Sequence, residues 1–277
     1  MPRSRPRLIA TDLDGTLLRD DKSVSSRTVA ALAAAEQAGI EVFFVTGRPA
    51  RWMELVSEHV HGHGLAICSN GAAVVDLHDG GRITEWRALE RQTALHVVDA
   101  LRNAAPGAAF AMEYTNGFHH EPDYPPLHFD PAVTIGPAEK LLEEVQGQAS
   151  DGSVHLLKLL AFHGTLAPDD FLALARATAG EHAAITRSSP TALLEASGLG
   201  VSKASTLALC CAERGISADE VVAFGDMPND IEMLAWAGTS YAMGNAHPDV
   251  VDAASGRTVG NNEDGVAAVI EAILSDY

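Results

Sequence analysis

The stretch that decides the fold is LIATDLDGT, residues 8–16, in which a short apolar run stops at two aspartates, a glycine and a threonine. Such a run has the length and composition of a buried β-strand. The pattern recurs at EVFFV (41–45) and VVAF (221–224), and each of these runs also stops at glycine and polar residues. Helical segments lie between, for example at 28–38 and 203–214. Short apolar strands alternating with helices predict a doubly wound parallel sheet.

Length and composition place the chain among ordinary globular proteins. Its 277 residues correspond to roughly two domains at about 150 residues each. With 47% hydrophobic and 20% charged residues, the chain has enough apolar material for a sizeable core. No apolar run approaches the ~18 residues of a membrane span, and no signal core follows the basic start at residues 1–7. We therefore expect a cytoplasmic protein, and its three cysteines agree with a reducing compartment.

The charge balance limits the partners that the protein is expected to bind. Nineteen basic and 37 acidic residues give a net charge of −18. So acidic a chain repels nucleic acid and anionic membrane surfaces unless it carries a local basic patch, and no such run occurs after residue 7. Neither nucleic acid nor a membrane is expected as a partner, and a monomer is the default expectation.

A change in the pattern of predicted helices and strands in the middle of the chain predicts two nested domains. Between residues 84 and 191, helical and strand-like segments surround a proline-rich loop at 121–126. This region reads as an α+β unit inserted into the first domain. The expected organisation is a split core of residues 1–83 and 192–277, with the insert at 84–191.

The residues that carry chemistry stand at predicted strand ends or at a helix start, where ligands bind in open α/β sheets. Several carboxylates gathered at one point repel each other unless a cation lies among them, and oxygen ligands without thiolate or histidine favour Mg²⁺. A hydroxyl, a glycine amide and an ammonium group suit the oxygens of a phosphoryl group. One aspartate can attack phosphorus, and a second can protonate the leaving oxygen. This chemistry is predicted for Asp12, Asp14, Thr46, Gly47, Arg48, Lys203, Asp226, Asn229 and Asp230.

These residues resemble the four ordered motifs of the haloacid dehalogenase superfamily. The motifs are DLDGT (12–16), TGR (46–48), Lys203 and GDMPND (225–230). An insert between the second and third motifs is similar to that of the Cof-type phosphatases, which carry a C2B cap, and SNGA (69–72) also fits that subgroup. The resemblance implies a Rossmann-like core with an inserted α/β cap.

The resemblance also implies a role for each matching position. Asp12 would be the nucleophile and Asp14 the general acid/base, and an aspartate as nucleophile favours phosphatase over dehalogenase chemistry. The residues implied to bind phosphate are Leu13, Thr46, Gly47, Lys203 and Asn229. The implied Mg²⁺ ligands are Asp12, Asp14 through its backbone carbonyl, Asp226 and Asp230, with Asp230 supporting the water shell of the ion.

The function expected from these residues is Mg²⁺-dependent hydrolysis of small phosphorylated metabolites, such as sugar phosphates or a phosphorylated cofactor. An alternative is a sugar phosphomutase or a dedicated phosphatase of a sugar-phosphate pathway. A signalling receiver also accepts phosphate on aspartate, but Asp14 and the insert are foreign to it. A non-catalytic sensor of phosphorylated ligands is disfavoured because every predicted catalytic position is intact.

The candidate substrate contacts are Arg48, which belongs to the TGR motif, and His119, His120 and Lys158 of the predicted insert. Arg48 suits a substrate contact or a structural ion pair equally well. Lys158 lies in an apolar run, which is more typical of an edge strand or a snorkelled side chain. Asn70 is interpreted as a loop stabiliser, and the histidine run at 59–63 as a solvated loop.

Overall fold

The computed structural model describes residues 5–53, 56, 64–126, 133–148 and 154–276. The chain forms two compact units, Met1–Glu85 with Ser202–Tyr277 and Trp86–Val201. The second unit thus runs to Val201 rather than to residue 191. The reason is that the strand Leu193–Ser197 pairs with Leu156–Phe162 and so belongs to the sheet of the inserted unit.

The regular elements among the described residues alternate much as the sequence predicts. The strands are β1 (Leu8–Thr11), β2 (Glu41–Val45), β3 (Gly64–Cys68), β4 (Ala73–Asp76), β5 (Arg82–Trp86), β6 (Ala109–Tyr114), β7 (Gly117–His120), β8 (Thr134–Ile135), β9 (Leu156–Phe162), β10 (Ala184–Thr186), β11 (Leu193–Ser197), β12 (Val221–Gly225), β13 (Thr239–Ala242) and β14 (Gly256–Arg257). The α-helices are α1 (Ser26–Gln37), α2 (Arg91–Ala104), α3 (Ala138–Gln148), α4 (Pro168–Ala179), α5 (Lys203–Glu213), α6 (Ile231–Trp236), α7 (Pro248–Ala253) and α8 (Gly265–Ser275).

The first unit is built on a mainly parallel sheet, which confirms the predicted fold class. Its eight strands within the described residues follow the order β14-β13-β12-β1-β2-β3-β4-β5. Neighbouring strands from β14 to β3 are parallel, and β4 is antiparallel to β3. Because β1 lies between β2 and β12, the strand order reverses beside it. In open α/β sheets this switch point, outside the carboxyl ends of the strands, is where ligands bind.

Packing around β1 follows from the alternation of its side chains. Leu8 and Ala10 share one face and pack with residues of α5, among them Leu207 and Cys210. The helix α5 begins where the sequence predicts it. The side chain of its N-cap residue Ser202 accepts a hydrogen bond from the N–H of Ser205, and the side chain of Ser205 accepts one from the N–H of Ser202. This capping box fixes the position of Lys203, the first residue of the helix.

The second unit has its own sheet and its own apolar core. Within the described residues its six strands follow the order β10-β11-β9-β6-β7-β8. Phe110, Met112 and Leu159 lie on the face that packs against helices α2, α3 and α4. The opposite face carries a smaller cluster that includes Ala111 and Leu160. The interpretation of Lys158 as an edge residue is wrong, because β9 has paired strands on both sides.

Two segments with local predictions lie partly or wholly outside the described residues. A helix is expected after Pro49, and the structure shows a short 3-10 turn at Ala50–Trp52, beyond which much of the segment lies outside the described residues. The histidine run at 59–63 also lies outside them. Among the described residues, no helix is both long and apolar enough to cross a membrane.

Candidate active site

Three carboxylates meet at the switch point of the first sheet. Asp12 directly follows β1, while Asp226 and Asp230 belong to the loop that follows β12. Each offers one oxygen, and these three oxygens all lie within 4.8 Å of one another. Gly15 makes this approach possible, because a Cβ atom at its φ of +73° would lie 2.2 Å from Asp226 Oδ2. The glycine of the DLDGT motif is therefore required by the proximity of the two loops.

Lys203 supplies the positive charge of this cluster. Its ammonium nitrogen lies 2.8 Å from Asp12 Oδ1 and 2.6 Å from Asp230 Oδ1, and its side chain is fully buried. Burial alone would lower the pKa of Lys203, but Asp12 and Asp230 outweigh it and raise that pKa. The lysine is therefore a fixed cation that joins Asp12 to the loop after β12.

One lysine does not compensate three buried carboxylates. Burial raises the pKa of Asp12 to about 7, with Asp230 adding to the effect and Lys203 opposing it. Burial also raises the pKa of Asp226 to about 8, helped by the nearby charges of Asp12 and Asp230. Thr16 orients Asp226 by donating a hydrogen bond of 2.9 Å to its Oδ1. Crowded carboxylate oxygens with a charge deficit are the donor set that a hard divalent cation such as Mg²⁺ fits.

Asp230 differs from Asp12 and Asp226 in the hydrogen bonds that its carboxylate accepts. Its Oδ1 contacts Lys203, while its Oδ2 accepts the backbone N–H groups of Asp226 and Met227 at 3.0 Å each. A Cβ at Gly225 would lie 2.5 Å from the Cβ of Asp230, so the loop closes tightly around this side chain. Both carboxylate oxygens are thus engaged by the protein. This arrangement favours a role in ordering the loop and in holding Lys203.

Asp14 is not one of the three clustered carboxylates, and its side chain forms ion pairs with two basic residues. Arg48 donates to it twice, Nε to Oδ2 at 2.5 Å and Nη2 to Oδ1 at 2.7 Å, and Lys22 Nζ lies 2.9 Å from Oδ1. Burial would raise the pKa of Asp14, but the hydrogen bonds from Arg48 and Lys22 outweigh it and lower the pKa to about 2. Of the two roles expected for Arg48, the structure shows the ion pair.

The loop after β2 provides groups suited to phosphate oxygens. Thr46 Oγ1 accepts the N–H of Arg48 at 3.1 Å, so the hydroxyl keeps its own proton for another acceptor. Gly47 lies between them and is half-buried. The side chain of Leu13 is fully buried, so any phosphate contact by this residue would use its backbone.

The side chain of Asn229 contacts the turn after β3. Its Nδ2 donates to Asn70 Oδ1 at 3.0 Å, and both side chains are buried. Asn70, interpreted from sequence as a loop stabiliser, therefore reaches into the same site. The structure thus brings together the candidate residues of the first unit, namely Asp12, Leu13, Asp14, Thr46, Gly47, Arg48, Lys203, Asp226, Asn229 and Asp230.

Sequence reasoning missed three contributors to this site. Lys22 contacts Asp14, Thr16 orients Asp226, and Asn245 Nδ2 donates to the carbonyl of Gly15 at 2.8 Å. Thr16 is part of the DLDGT motif, so the sequence did indicate that it lies near the site. Lys22 and Asn245 reach the site through loops, and no spacing in the sequence indicates their contacts.

The remaining candidate residues lie in the second unit. His119 is cross-strand partner to Met112, so it lies on the helix-covered face, where its ring packs edge-on against Tyr114. Burial lowers the pKa of His119, and this interior position favours a packing role. His120 is half-buried, with Nδ1 lying 2.7 Å from the carbonyl of Glu121. Lys158 is buried and forms an ion pair with Glu195.

Taken together, the first unit presents a buried aspartate held by lysine, two further carboxylates, and a hydroxyl-bearing loop at the switch point of a doubly wound sheet. This combination is typical of enzymes that act on phosphoryl groups. Residues 9–270 match the family of haloacid dehalogenase-like hydrolases, and the chain belongs to this family. It is an enzyme of the family's phosphatase class, in agreement with the resemblance to Cof-type phosphatases.

Similar proteins of known name span almost the full chain. The 5-amino-6-(5-phospho-D-ribitylamino)uracil phosphatase YitU of Bacillus subtilis is 27% identical and covers 98% of this chain and 99% of its own. The pyridoxal phosphate phosphatase YbhA of Escherichia coli is 29% identical and covers 95% of this chain and 97% of its own. The structure of BT1666, from Bacteroides thetaiotaomicron, matches with a TM-score of 0.78 at 24% identity and covers 99% of this chain and 97% of its own.

Proposed function

We propose that this protein is a Mg²⁺-dependent phosphatase that hydrolyses small phosphate monoesters through an aspartyl-phosphate on Asp12. The observation that carries the proposal is the contact of 2.8 Å between Lys203 Nζ and Asp12 Oδ1, inside a cluster of three buried carboxylates. A lysine in this position favours the ionised form of Asp12, against the effect of burial, and attracts an anionic substrate. The cluster therefore combines a nucleophile with the positive charge that its phosphorylated target requires.

The residues of the first unit divide the chemistry between them. Asp12 Oδ attacks phosphorus, the bond from phosphorus to the ester oxygen breaks, and Asp14 gives a proton to the departing alkoxide. Asp14 then takes a proton from water as that water attacks the acyl-phosphate, which releases inorganic phosphate and restores Asp12. Lys203 and the Thr46 hydroxyl hold the charged oxygens of the phosphoryl group throughout.

The cation has a clear place in this scheme. Asp12 and Asp226 would hold Mg²⁺, with Asp230 supporting them from its engaged position, and the backbone carbonyl of Asp14 remains a proposed ligand. When bound, Mg²⁺ supplies charge neutralisation for the phosphoryl oxygens. The raised pKa values of Asp12 and Asp226 support this assignment, because burial and neighbouring carboxylates disfavour their ionised forms more than Lys203 stabilises them.

The proposed substrates are phosphate monoesters of small organic molecules, such as a sugar phosphate or a phosphorylated cofactor. Support comes from relatives whose names specify a phosphoribitylaminouracil and pyridoxal phosphate, two esters of that kind. Phosphate release from a panel that contains both compounds, together with common sugar phosphates, would rank the candidates by kcat/KM. Cap residues such as His120 and Lys158 stay candidate substrate contacts in this proposal.

The variant Asp12→Asn tests the mechanism. It keeps the size of the side chain but removes the attacking oxyanion, so Mg²⁺-dependent hydrolysis of p-nitrophenyl phosphate should fall by more than about 10³-fold. Asp249→Asn is the matched control, because this aspartate is 73% exposed on α7 and lies outside the site. Retention of near-wild-type turnover by Asp12→Asn would exclude Asp12 as the nucleophile.

A further inference from the structure

The turn after β3 has an unusual backbone. Ser69, Asn70 and Gly71 have consecutive positive φ angles of 50°, 56° and 99°, and all three residues are buried. This left-handed conformation is unfavourable for side chains other than glycine and, to a smaller extent, asparagine. A strained turn persists only where the surrounding structure holds it, and such turns occur preferentially at functional sites.

The surrounding structure does hold this turn, from two sides of the active site. The N–H groups of Ser69 and Asn70 donate to the carbonyls of Arg48 and Thr46 at 2.9 and 3.0 Å. On the other side, Thr206 of α5 donates to the carbonyl of Gly71 at 2.7 Å. The turn therefore lies between the loop that carries Thr46 and the helix that begins with Lys203.

The side chain of Asn70 links this turn to a third motif. Its Oδ1 accepts a hydrogen bond of 3.0 Å from Nδ2 of Asn229, in the loop after β12. The bond fixes which end of the Asn229 amide faces the turn. The other end, Oδ1 of Asn229, is buried and has no hydrogen-bond partner among the described residues. A buried acceptor without a partner loses its hydration, so a native site normally supplies it with a donor.

We propose that Asn70 is a positioning residue that acts through Asn229. It holds the Asn229 amide so that Oδ1 accepts a hydrogen bond from an O–H group that arrives with the ligand, either a hydroxyl of the phosphate ester or an accompanying water. The Asn229 oxygen itself then does not contact an ionised phosphate oxygen, because both atoms are acceptors. The inference rests on the proposed phosphatase function and assigns Asn70 a role beyond stabilising its loop.

A double-mutant cycle on Asn70 and Asn229 tests the proposal. Asn70→Gly removes the side chain but suits the left-handed φ of 56°, and Asn229→Ala removes the positioned amide. Each variant should lower kcat/KM for ribose 5-phosphate about tenfold, with a raised KM, and the double variant should be no worse than either one. Independent effects that multiply to about a hundredfold, or an unchanged Asn70→Gly enzyme, would overturn it.

A second variant separates positioning from folding. Asn70→Ala also lacks the amide but strains the backbone, so it should lose thermal stability that Asn70→Gly keeps, with the same rise in KM. A purely structural role would lower the folded fraction, and hence kcat, without changing KM. Failure of Asn70→Gly to fold would likewise overturn the proposal. Asn262→Ala, at an exposed position of the same unit, is the matched control.

Two substrates distinguish the sources of the O–H group. A defect confined to ribose 5-phosphate and absent with p-nitrophenyl phosphate identifies a hydroxyl of the ester, whereas an equal defect with both identifies water. An inactive wild-type protein with Mg²⁺ would instead refute the phosphatase proposal, so the two failures are distinguishable.

Discussion

At the residue scale, two aspartates two positions apart acquire opposite acid–base properties. Burial raises the pKa of Asp12 to about 7. For Asp14, burial acts in the same direction, but the paired hydrogen bonds from Arg48 lower the pKa to about 2. A carboxylate with such a low pKa is a poor proton donor near pH 7. The proposed role of Asp14 as general acid therefore requires that its ion pair with Arg48 be broken or weakened when substrate binds.

The two basic neighbours of Asp14 give a direct prediction. In ligand-free protein, Arg48→Met should raise the pKa of Asp14 above its value of about 2, because burial is then opposed only by Lys22. Lys22→Met should raise it less, since Lys22 makes one hydrogen bond to Asp14 and Arg48 makes two. A carbon-13 NMR titration of labelled aspartates measures both shifts.

Asp20 serves as the internal reference in that titration. Hydrogen bonds from Asn261 and Asn262 are the main cause of its lowered pKa, so its titration should be the same in Arg48→Met as in the wild type. The charge of Lys22 also lowers the pKa of Asp20, so Asp20 is a reference for Arg48→Met alone. An Asp14 resonance that titrates at the same pH in the wild type and in Arg48→Met would show that the ion pair does not set its protonation.

At the element scale, the loop after β1 depends on one glycine. Gly15 has a φ of +73°, and a Cβ atom there would meet Asp226 Oδ2. Gly39, at the end of α1, has a similar φ of +79° but open space around it. Both positions therefore require a left-handed backbone, but only at Gly15 would a side chain also collide with Asp226.

Alanine substitutions at these two glycines should give different results. Both Gly15→Ala and Gly39→Ala should lower the free energy of unfolding by about 1–2 kcal/mol, because alanine disfavours the left-handed conformation. Only Gly15→Ala should also weaken Mg²⁺ binding, by about tenfold or more, because its methyl group displaces the Asp226 carboxylate. Denaturant titration and calorimetric Mg²⁺ titration measure the two effects. Equal Mg²⁺ affinities in the two variants would contradict this account.

At the scale of the whole molecule, acidity and metal binding are coupled. The net charge is −18, and two of the buried acidic groups, Asp12 and Asp226, have pKa values raised from 3.8 to about 7 and about 8. Between pH 4 and 8 the folded state therefore binds more protons at these groups than the unfolded state does. Stability of the metal-free protein then falls as pH rises through this range.

Added Mg²⁺ should reverse this loss of stability at high pH. We expect the Tm in EDTA to decrease between pH 5.5 and 8, and the increase in Tm caused by Mg²⁺ to grow over the same range, because the cation competes with protons for the carboxylates. Asp226→Asn should raise the Tm in EDTA at pH 8 and remove most of the response to Mg²⁺. Differential scanning calorimetry provides the measurement, and a Mg²⁺ response independent of pH would argue against the coupling.

The elements and the residue types of the site were predictable because their signals are local. Apolar runs that stop at DLDGT and TGR locate two strand ends, and the Ser202 cap locates the start of α5. The helix-to-strand alternation then predicts a parallel sheet, which brings those strand ends to one edge. The sheet to which β11 belongs was not predictable, because no local signal at 193–197 says which strands it pairs with.

The amino-acid sequence by itself determined the fold class, the family and the inventory of reactive groups. Only the tertiary structure decided which group meets which: Lys203 with Asp12 and Asp230, Arg48 with Asp14, Asn70 with Asn229, and Lys158 with Glu195 rather than solvent. The physical reason is that helix and strand signals depend on neighbours within a few residues. Ion pairs and amide contacts depend instead on loop geometry and side-chain direction, and these arise only when distant parts of the chain pack together.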